Sequence, residues 1–132
     1  MIVVDASVWV SHFTIQDSNH LTSLRWLTHM VNQQTEFLLP PLLLSEVAGA
    51  IARRTGVAEL GHHAVGQILT TPRLRVISID SVVGQLAAQL AADLRLRGAD
   101  AIYVAVAHQY QASLVSWDRE QIQRSASMVT AF

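Results

Sequence analysis

The sequence contains no cysteine and no lysine. Without cysteine, the chain cannot form disulfides or thiolate metal sites. Without lysine, it cannot use Schiff-base chemistry, a P-loop lysine, or the phosphate-binding lysine of receiver domains and haloacid-dehalogenase phosphatases. All nine basic residues are arginines, so any fixed cationic contact to a phosphate must come from an arginine.

Charge is scarce as well. Only 14% of residues are charged against 51% that are hydrophobic, which excludes a disordered chain, and the net charge of −1 gives no overall attraction for polyanions. The longest apolar runs, residues 37–44 and 101–107, are too short to span a membrane. The first residues lack the basic and apolar regions of a signal peptide. We therefore expect a soluble, cytoplasmic protein that folds as a single domain over residues 1–132, and its apolar content favours association with another chain.

Short aliphatic runs alternate with longer segments of helical periodicity. The runs predict strands over residues 2–4, 37–39, 73–79, 113–117 and 128–132. The periodic segments predict helices over residues 7–13, 21–31, 42–54, 61–70, 81–97 and 99–110. Ser7 and Ser81 are the expected N-caps of the first and fifth helices. This alternation favours a Rossmann-like α/β fold with three α/β/α layers and a parallel sheet of about five strands, which binds ligands at the carboxyl ends of its strands.

Four of the ten carboxylates interrupt apolar segments. Asp5 follows the first strand, Glu46 lies in the first turns of the third helix, Asp100 lies at the start of a buried helix, and Asp118 follows the fourth strand. Burial of unpaired carboxylates is costly, so something must compensate them. The predicted topology brings Asp5, Asp100 and Asp118 to one edge of the sheet, where Glu46 can join them.

A divalent metal ion is one such compensation. Four convergent carboxylates, with no cysteine and no paired-histidine spacing, suit a hard cation such as Mg²⁺ or Mn²⁺. Each acid also has an ordinary structural interpretation. Asp100 and Asp118 lie where helix N-caps are common, and Asp118 followed by Gln121 resembles a capping box. Glu46 alone is compatible with a solvated side chain, and Asp5 with a turn residue.

The order and context of the four acids resemble the PIN-domain ribonucleases, and most closely the VapC-like toxins of type II toxin–antitoxin pairs. The matching segments are residues 2–9 (IVVDASVW), 44–47 (LSEV), 98–107 (GADAIYVAVA) and 114–118 (LVSWD). The resemblance covers essentially the whole chain and implies a PIN-like fold. It departs after Asp118, where Arg119, Glu120 and Gln121 stand in place of the further acid and aromatic residue that often follow in the family; this departure bears on a second metal position.

The resemblance implies a metal-dependent ribonuclease. Asp5, Glu46 and Asp100 would bind the principal Mg²⁺ or Mn²⁺ ion, and Asp118 would be an outer ligand or part of a second site. Ser7 and Ser116 would support the acid cluster, although plain helix caps explain them equally well. Hydrolysis of RNA would leave a 5′-phosphate and a 3′-hydroxyl. The resemblance also implies a homodimer and a cognate antitoxin whose segment lies in an apolar groove and blocks the site.

Candidate RNA contacts flank the acids. Arg95, Arg97 and Arg119 lie close in sequence to Asp100 and Asp118, although arginines at such positions are commonly solvated helix ends. Trp9, Trp26 and Trp117 are candidates for base stacking, although core positions are more usual for Trp9 and Trp117.

Two other functions stay open from the sequence. One is a PIN-type nuclease of RNA processing, and the other is a non-catalytic metal-binding or regulatory domain on the same scaffold. A receiver domain is excluded because it requires a lysine.

Overall fold

The computed structural model describes all residues 1–132. Its single sheet has four parallel strands in the order β3-β2-β1-β4. The strands are β1 (Ile2–Val4), β2 (Phe37–Leu39), β3 (Leu74–Val76) and β4 (Ser113–Val115). β1 lies at the centre and pairs with both β2 and β4, so the carboxyl ends of these three strands lie side by side.

Seven helices connect the strands. They are α1 (Ala6–Phe13), α2 (His20–Asn32), α3 (Leu42–Thr55), α4 (Ala58–Leu69), α5 (Ser81–Leu94), α6 (Gly98–Gln109) and α7 (Arg119–Ser125). Helices α1 to α4 pack on one another as one group, and α5 packs on α6, which contacts β1, β2 and β4. The expected parallel α/β fold is confirmed; α7 was not predicted.

The strands β1, β2 and β4 and the helix α6 form the centre of a hydrophobic core of 31 buried residues. β1 and β2 are buried along their whole length, as expected for inner strands of a parallel sheet covered on both faces. In α6, a run of five fully buried residues, 103–107, explains why this helix is apolar on nearly every side. No helix in the structure combines the length and the apolar character that a membrane span requires.

The predicted count of about five strands is too high by one. After α7, the chain turns, with the amides of Met128 and Val129 both donating to the Ser125 carbonyl. Only residues 130–132 are left to extend beside β4, where they form one isolated parallel bridge between Leu114 and Ala131. The turn after α7 uses the residues that a fifth strand would need.

The predicted caps Ser7 and Ser81 are wrong by one or two residues. The carboxylates of Asp5 and Asp80 are the N-caps of α1 and α5, and they accept hydrogen bonds from the amides of Ser7 and Val83. An aspartate before a serine competes for the same role, since both are good N-caps. Helix α5 also ends earlier than predicted, because Arg95 takes a left-handed conformation with φ of 55°.

Candidate functional site

The four predicted acids lie at the carboxyl edge of the sheet. Asp5 directly follows β1, and Asp118 lies three residues beyond the end of β4. Glu46 is the fifth residue of α3, the helix that follows β2, and Asp100 lies in the first turn of α6. α6 runs into β4, so its N-terminus lies at the same edge as the strand ends. Four separate elements thus carry the acids to one edge.

Asp5 is the most enclosed of the four acids, with 6% of its surface exposed. Its Oδ2 accepts hydrogen bonds from the Ser7 amide at 3.0 Å and from the Ser116 hydroxyl at 3.2 Å. Burial raises the pKa of Asp5 because water is lost around its charged form, and the negative charge of Asp100 raises it further. The two hydrogen bonds oppose this shift but do not cancel it.

The two predicted serines join the ends of β1 and β4. The Ser7 hydroxyl accepts the Trp117 amide at 3.0 Å, and the Ser116 hydroxyl accepts the Asp118 amide at 3.0 Å. Their Oγ atoms lie 3.4 Å apart. Neither serine is a helix N-cap, since Asp5 caps α1 and Asp118 caps α7. Both hydroxyls therefore fix the loop that follows β4 against Asp5.

Glu46 has a partner that the sequence analysis missed. The hydroxyl of Tyr103 donates to its Oε1 at 3.0 Å, and Tyr103 is fully buried. Burial raises the pKa of Glu46, and the charges of Asp5 and Asp100 raise it further. Burial and the charges of Glu46 and Asp5 raise the pKa of Tyr103, so the hydroxyl keeps its proton and stays a donor. The available signal was its place three residues after Asp100, on the same side of α6.

Arg97 links the other two acids. Its Nε donates to Asp100 Oδ2 at 2.9 Å and its Nη2 to Asp118 Oδ2 at 2.7 Å. The side chain is 76% exposed, so these ion pairs add little stability. Asp118 also accepts the amides of Glu120 and Gln121 through Oδ1, which makes it the N-cap of α7. The capping interpretation thus holds for Asp118 and not for Asp100, since Arg97 occupies the N-cap position of α6.

The carboxylates are suitable donors for a hard cation, but they do not form a closed metal site. Asp100 is close enough to Asp5 and Glu46 for its charge to raise the pKa of both, and the charge of Asp5 also raises the pKa of Glu46. No group of three or more acidic, histidine or cysteine side chains is arranged to hold a metal ion. Asp100 turns its Oδ2 to Arg97, which places a positive charge beside the acids.

Arg95 and Arg119, the other two predicted RNA contacts, are exposed and form no ion pair with the four acids. Arg95 lies at the end of α5, where its carbonyl accepts a hydrogen bond from the Arg124 guanidinium. Arg119 begins α7, beside a cavity that Trp117 also lines.

A second cavity, of about 280 Å³, opens beside Glu46. Its lining includes Ser7, Trp117, Arg53 and Arg54. Neither arginine is predictable from the sequence, because the two lie seven and eight residues beyond Glu46 and belong to no local motif.

Comparisons with known proteins agree with this fold. The sequence pattern of the PIN domain matches residues 2–126. Among solved structures, VapC20 of Mycobacterium tuberculosis, a toxin that cleaves the sarcin-ricin loop, superposes with a TM-score of 0.80 at 20% identity, over 98% of this chain and 97% of that one. FitAcB of Neisseria gonorrhoeae gives a TM-score of 0.75 at 17% identity, over 100% of this chain and 96% of that one.

A third similar structure is VapBC2 of Rickettsia felis, bound to a DNA fragment from its promoter. Its TM-score is 0.73 at 14% identity, over 100% of this chain and 99% of that one. No curated protein matches the chain in sequence. At these identities the structures establish a shared fold, whereas the sequence pattern establishes descent. The chain therefore belongs to the PIN-domain family.

Proposed function

We propose that this protein is a metal-dependent endoribonuclease that hydrolyses RNA phosphodiester bonds. Asp5, Glu46, Asp100 and Asp118 are its catalytic and metal-binding residues in this proposal. The observation that carries it is the meeting of Asp5, Glu46 and Asp100, which come from three different elements. The charge of Asp100 raises the pKa of both Asp5 and Glu46, and the charge of Asp5 raises the pKa of Glu46 further. Mutually repelling carboxylates at a ligand-binding edge are costly to the fold, and such clusters are typical of functional sites.

The ion in this proposal is Mg²⁺ or Mn²⁺, held by Asp5, Glu46 and Asp100, with Asp118 as an outer ligand. Carboxylate oxygens are the ligands that both ions prefer. A divalent cation in such a site acidifies a water molecule and neutralises charge that develops on the phosphate.

The remaining side chains position these acids. The backbone amide of Ser7 and the hydroxyl of Ser116 fix the orientation of Asp5 through hydrogen bonds to Oδ2, which leaves Oδ1 free to face a ligand. Tyr103 does the same for Glu46. The proposed products are a 5′-phosphate and a 3′-hydroxyl, as in the resembling ribonucleases.

Replacement of Arg97 tests whether it competes with the metal. We expect Arg97→Gln to tighten Mn²⁺ binding about tenfold, because it removes a positive charge paired with Asp100 and Asp118. Calorimetric titration of Mn²⁺ measures this change. Arg25→Gln is the matched control, since Arg25 is exposed on α2 and forms no ion pair. Equal Mn²⁺ affinity in the two variants would contradict competition by Arg97.

We further propose that the nuclease is the toxin of a type II toxin–antitoxin pair that acts in the cytoplasm as a homodimer. Its fold is that of a toxin that cleaves the sarcin-ricin loop. It is also shared with the FitAB complex and with a toxin–antitoxin complex from Klebsiella pneumoniae. Exposed apolar side chains support association with other chains, among them Ile15 at 77% and Val82 at 66% exposure.

Cleavage of a panel of structured RNAs, including transfer RNAs, tests the proposed activity. Purified protein is incubated with each RNA in Mg²⁺ or Mn²⁺ and, in parallel, in EDTA. We expect cleavage that requires the metal and is lost in Asp100→Asn. A folded protein that binds Mn²⁺ but cleaves no RNA would instead favour a non-catalytic domain. Expression of the protein in cells separates a toxin from an RNA-processing nuclease. A toxin is expected to arrest growth, and co-expression of the protein encoded by the neighbouring gene is expected to relieve that arrest.

A further inference from the structure

Trp117 lies between Ser116 and Asp118 in the loop that follows β4, and it is attached to α1 at two points. Its backbone amide donates to the Ser7 hydroxyl at 3.0 Å, and its indole Nε1 donates to the Ser11 hydroxyl at 3.2 Å. Ser7 and Ser11 are four residues apart, so they lie on the same face of α1 in successive turns. Both the backbone and the side chain of Trp117 are thus held against one helix face.

The indole also contacts α2. Its Nε1 donates to the Ser23 hydroxyl at 2.8 Å, and the Oγ atoms of Ser23 and Ser11 lie 2.6 Å apart. The Ser11 hydroxyl donates to the Val8 carbonyl at 2.8 Å, so the proton between the two serines belongs to Ser23. Both hydroxyl oxygens then have only acceptor capacity left, and an indole N–H, which donates and does not accept, is the partner that fits them.

The two serines are fully buried, whereas Trp117 is half-buried. A buried hydroxyl pair is costly compared with an apolar pair, which would pack α1 on α2 without any polar group to satisfy. Once every hydrogen bond is made, however, a buried polar network fixes one arrangement of its members. We therefore attribute to Ser11 and Ser23 the orientation of the indole more than the stability of the two helices.

A fixed Trp117 also fixes its two neighbours in the chain, because planar peptide bonds join the three residues and a rotation of the middle one turns the other two. Ser116 donates to Asp5 Oδ2, and Asp118 is both the N-cap of α7 and a partner of Arg97. Neither Ser11 nor Ser23 forms a hydrogen bond with any of the four acids. Any effect of these serines on the site must pass through Trp117.

We infer that Ser11 and Ser23 are positioning residues of the site, which act through the indole of Trp117 to hold Ser116 and Asp118 in place. This inference rests on the proposed ribonuclease function and adds α2, a helix that carries none of the four acids, to the elements that set the geometry of the site. A positioning contact affects the chemical step, since every group that touches the substrate is still present when the contact is removed.

The test compares variants that break the contact from its two sides. Ser23→Ala removes the nearer acceptor, and Trp117→Phe keeps an aromatic ring but removes the donor. The double variant completes a double-mutant cycle. Thr28→Ala is the control, since it removes from the same helix a hydroxyl that donates to the Leu24 carbonyl. Urea denaturation of each variant comes first, so that all cleavage assays are run under conditions in which every protein is folded.

We expect Ser23→Ala and Trp117→Phe each to lower kcat for RNA cleavage about tenfold and to change KM by less than about twofold. Thr28→Ala should match the wild type. The double variant should be no slower than Trp117→Phe, because both substitutions remove the same contact. Independent effects that multiply to about a hundredfold, or a raised KM with unchanged kcat in Ser23→Ala, would overturn the inference.

Nuclear magnetic resonance of the ¹⁵N-labelled protein gives a readout that does not depend on activity. In Ser23→Ala we expect the indole N–H of Trp117 to exchange with solvent about tenfold faster and the backbone amide signals of Ser116 and Asp118 to shift. The indole of Trp9, whose Nε1 has no hydrogen-bond partner, is the internal reference.

Unchanged Ser116 and Asp118 signals in Ser23→Ala would overturn the inference even if kcat falls, and would leave a cleaving wild-type enzyme as proposed. Shifted signals in Ser23→Ala, together with no RNA cleavage by the wild type, would uphold the link from α2 to this loop and overturn the ribonuclease.

Discussion

Asp5→Asn is expected to reduce RNA cleavage by at least about a thousandfold, because it removes the negative charge from the most enclosed carboxylate of the site. The fold should tolerate this change. Asparagine is as good an N-cap as aspartate, so its amide oxygen can still accept the Ser7 amide and the Ser116 hydroxyl. Loss of activity would then reflect chemistry and not unfolding.

The same substitution should leave the metal-free protein as stable as the wild type at neutral pH, or more stable. Burial raises the folded-state pKa of Asp5 above its unfolded value of 3.8. The folded state therefore favours the protonated carboxyl, and this contribution to stability, complete below pH 3.8, is lost as the pH rises through the folded-state pKa. Because asparagine carries no charge at any of these pH values, Asp5→Asn does not lose stability in this way as the pH rises.

Urea denaturation in EDTA at pH 7 and at about pH 4 checks this pH dependence, with cleavage assays run on the same preparations. Asp93→Asn is the control, since Asp93 is exposed on α5. We expect any stability gain of Asp5→Asn to shrink as the pH falls. Retained cleavage in Asp5→Asn would contradict its assigned role.

Gly61→Ala is expected to destabilise the fold by about 1–3 kcal/mol. Helix α4 crosses α3 at Gly61, where a Cβ atom would lie 2.7 Å from the carbonyl oxygen of Ala48. A backbone atom cannot move aside as a flexible side chain can, so the two helices must separate. Because Ala48 lies two residues from Glu46, we expect cleavage to fall along with stability.

Gly66→Ala on the same helix is the matched control. It makes the same chemical change at an exposed position with nothing within 4 Å, so helix propensity alone should stabilise it by about 0.5–1 kcal/mol. The urea midpoints of the two variants measure the difference in their stability. That difference isolates the cost of the close contact between α3 and α4. Equal midpoints would show that α3 and α4 do not depend on this contact.

The positions of the four acids at the carboxyl edge of the sheet could be predicted from the sequence, because each depends on residues that are close together in the chain. A strand such as β1 is a short aliphatic run, and an acid directly after it must lie at the strand's carboxyl end. This reasoning correctly placed Asp5, Glu46, Asp100 and Asp118 at one edge. Their metal-binding role is a separate matter and stays a prediction, as does the single-domain interpretation.

The errors arise where two local signals compete or where contacts are distant in sequence. Asp5 and Ser7 are both good N-caps, and only the backbone geometry decides for Asp5. The predicted fifth strand failed because a turn after α7 uses its first residues. Tyr103 lies 57 residues from its partner Glu46, and Arg97 lies 21 residues from its partner Asp118, so these contacts are evident only in the folded chain.

Titration of Mn²⁺ into the purified protein, followed by calorimetry, tests most directly whether the acids form a metal centre. We predict saturable binding in the wild type that is lost in Asp5→Asn and Asp100→Asn and is retained in Glu120→Gln, whose acid lies outside the proposed ligand set. Saturable Mn²⁺ binding of equal affinity in all four proteins, or no binding in the wild type, would contradict a metal centre formed by these acids.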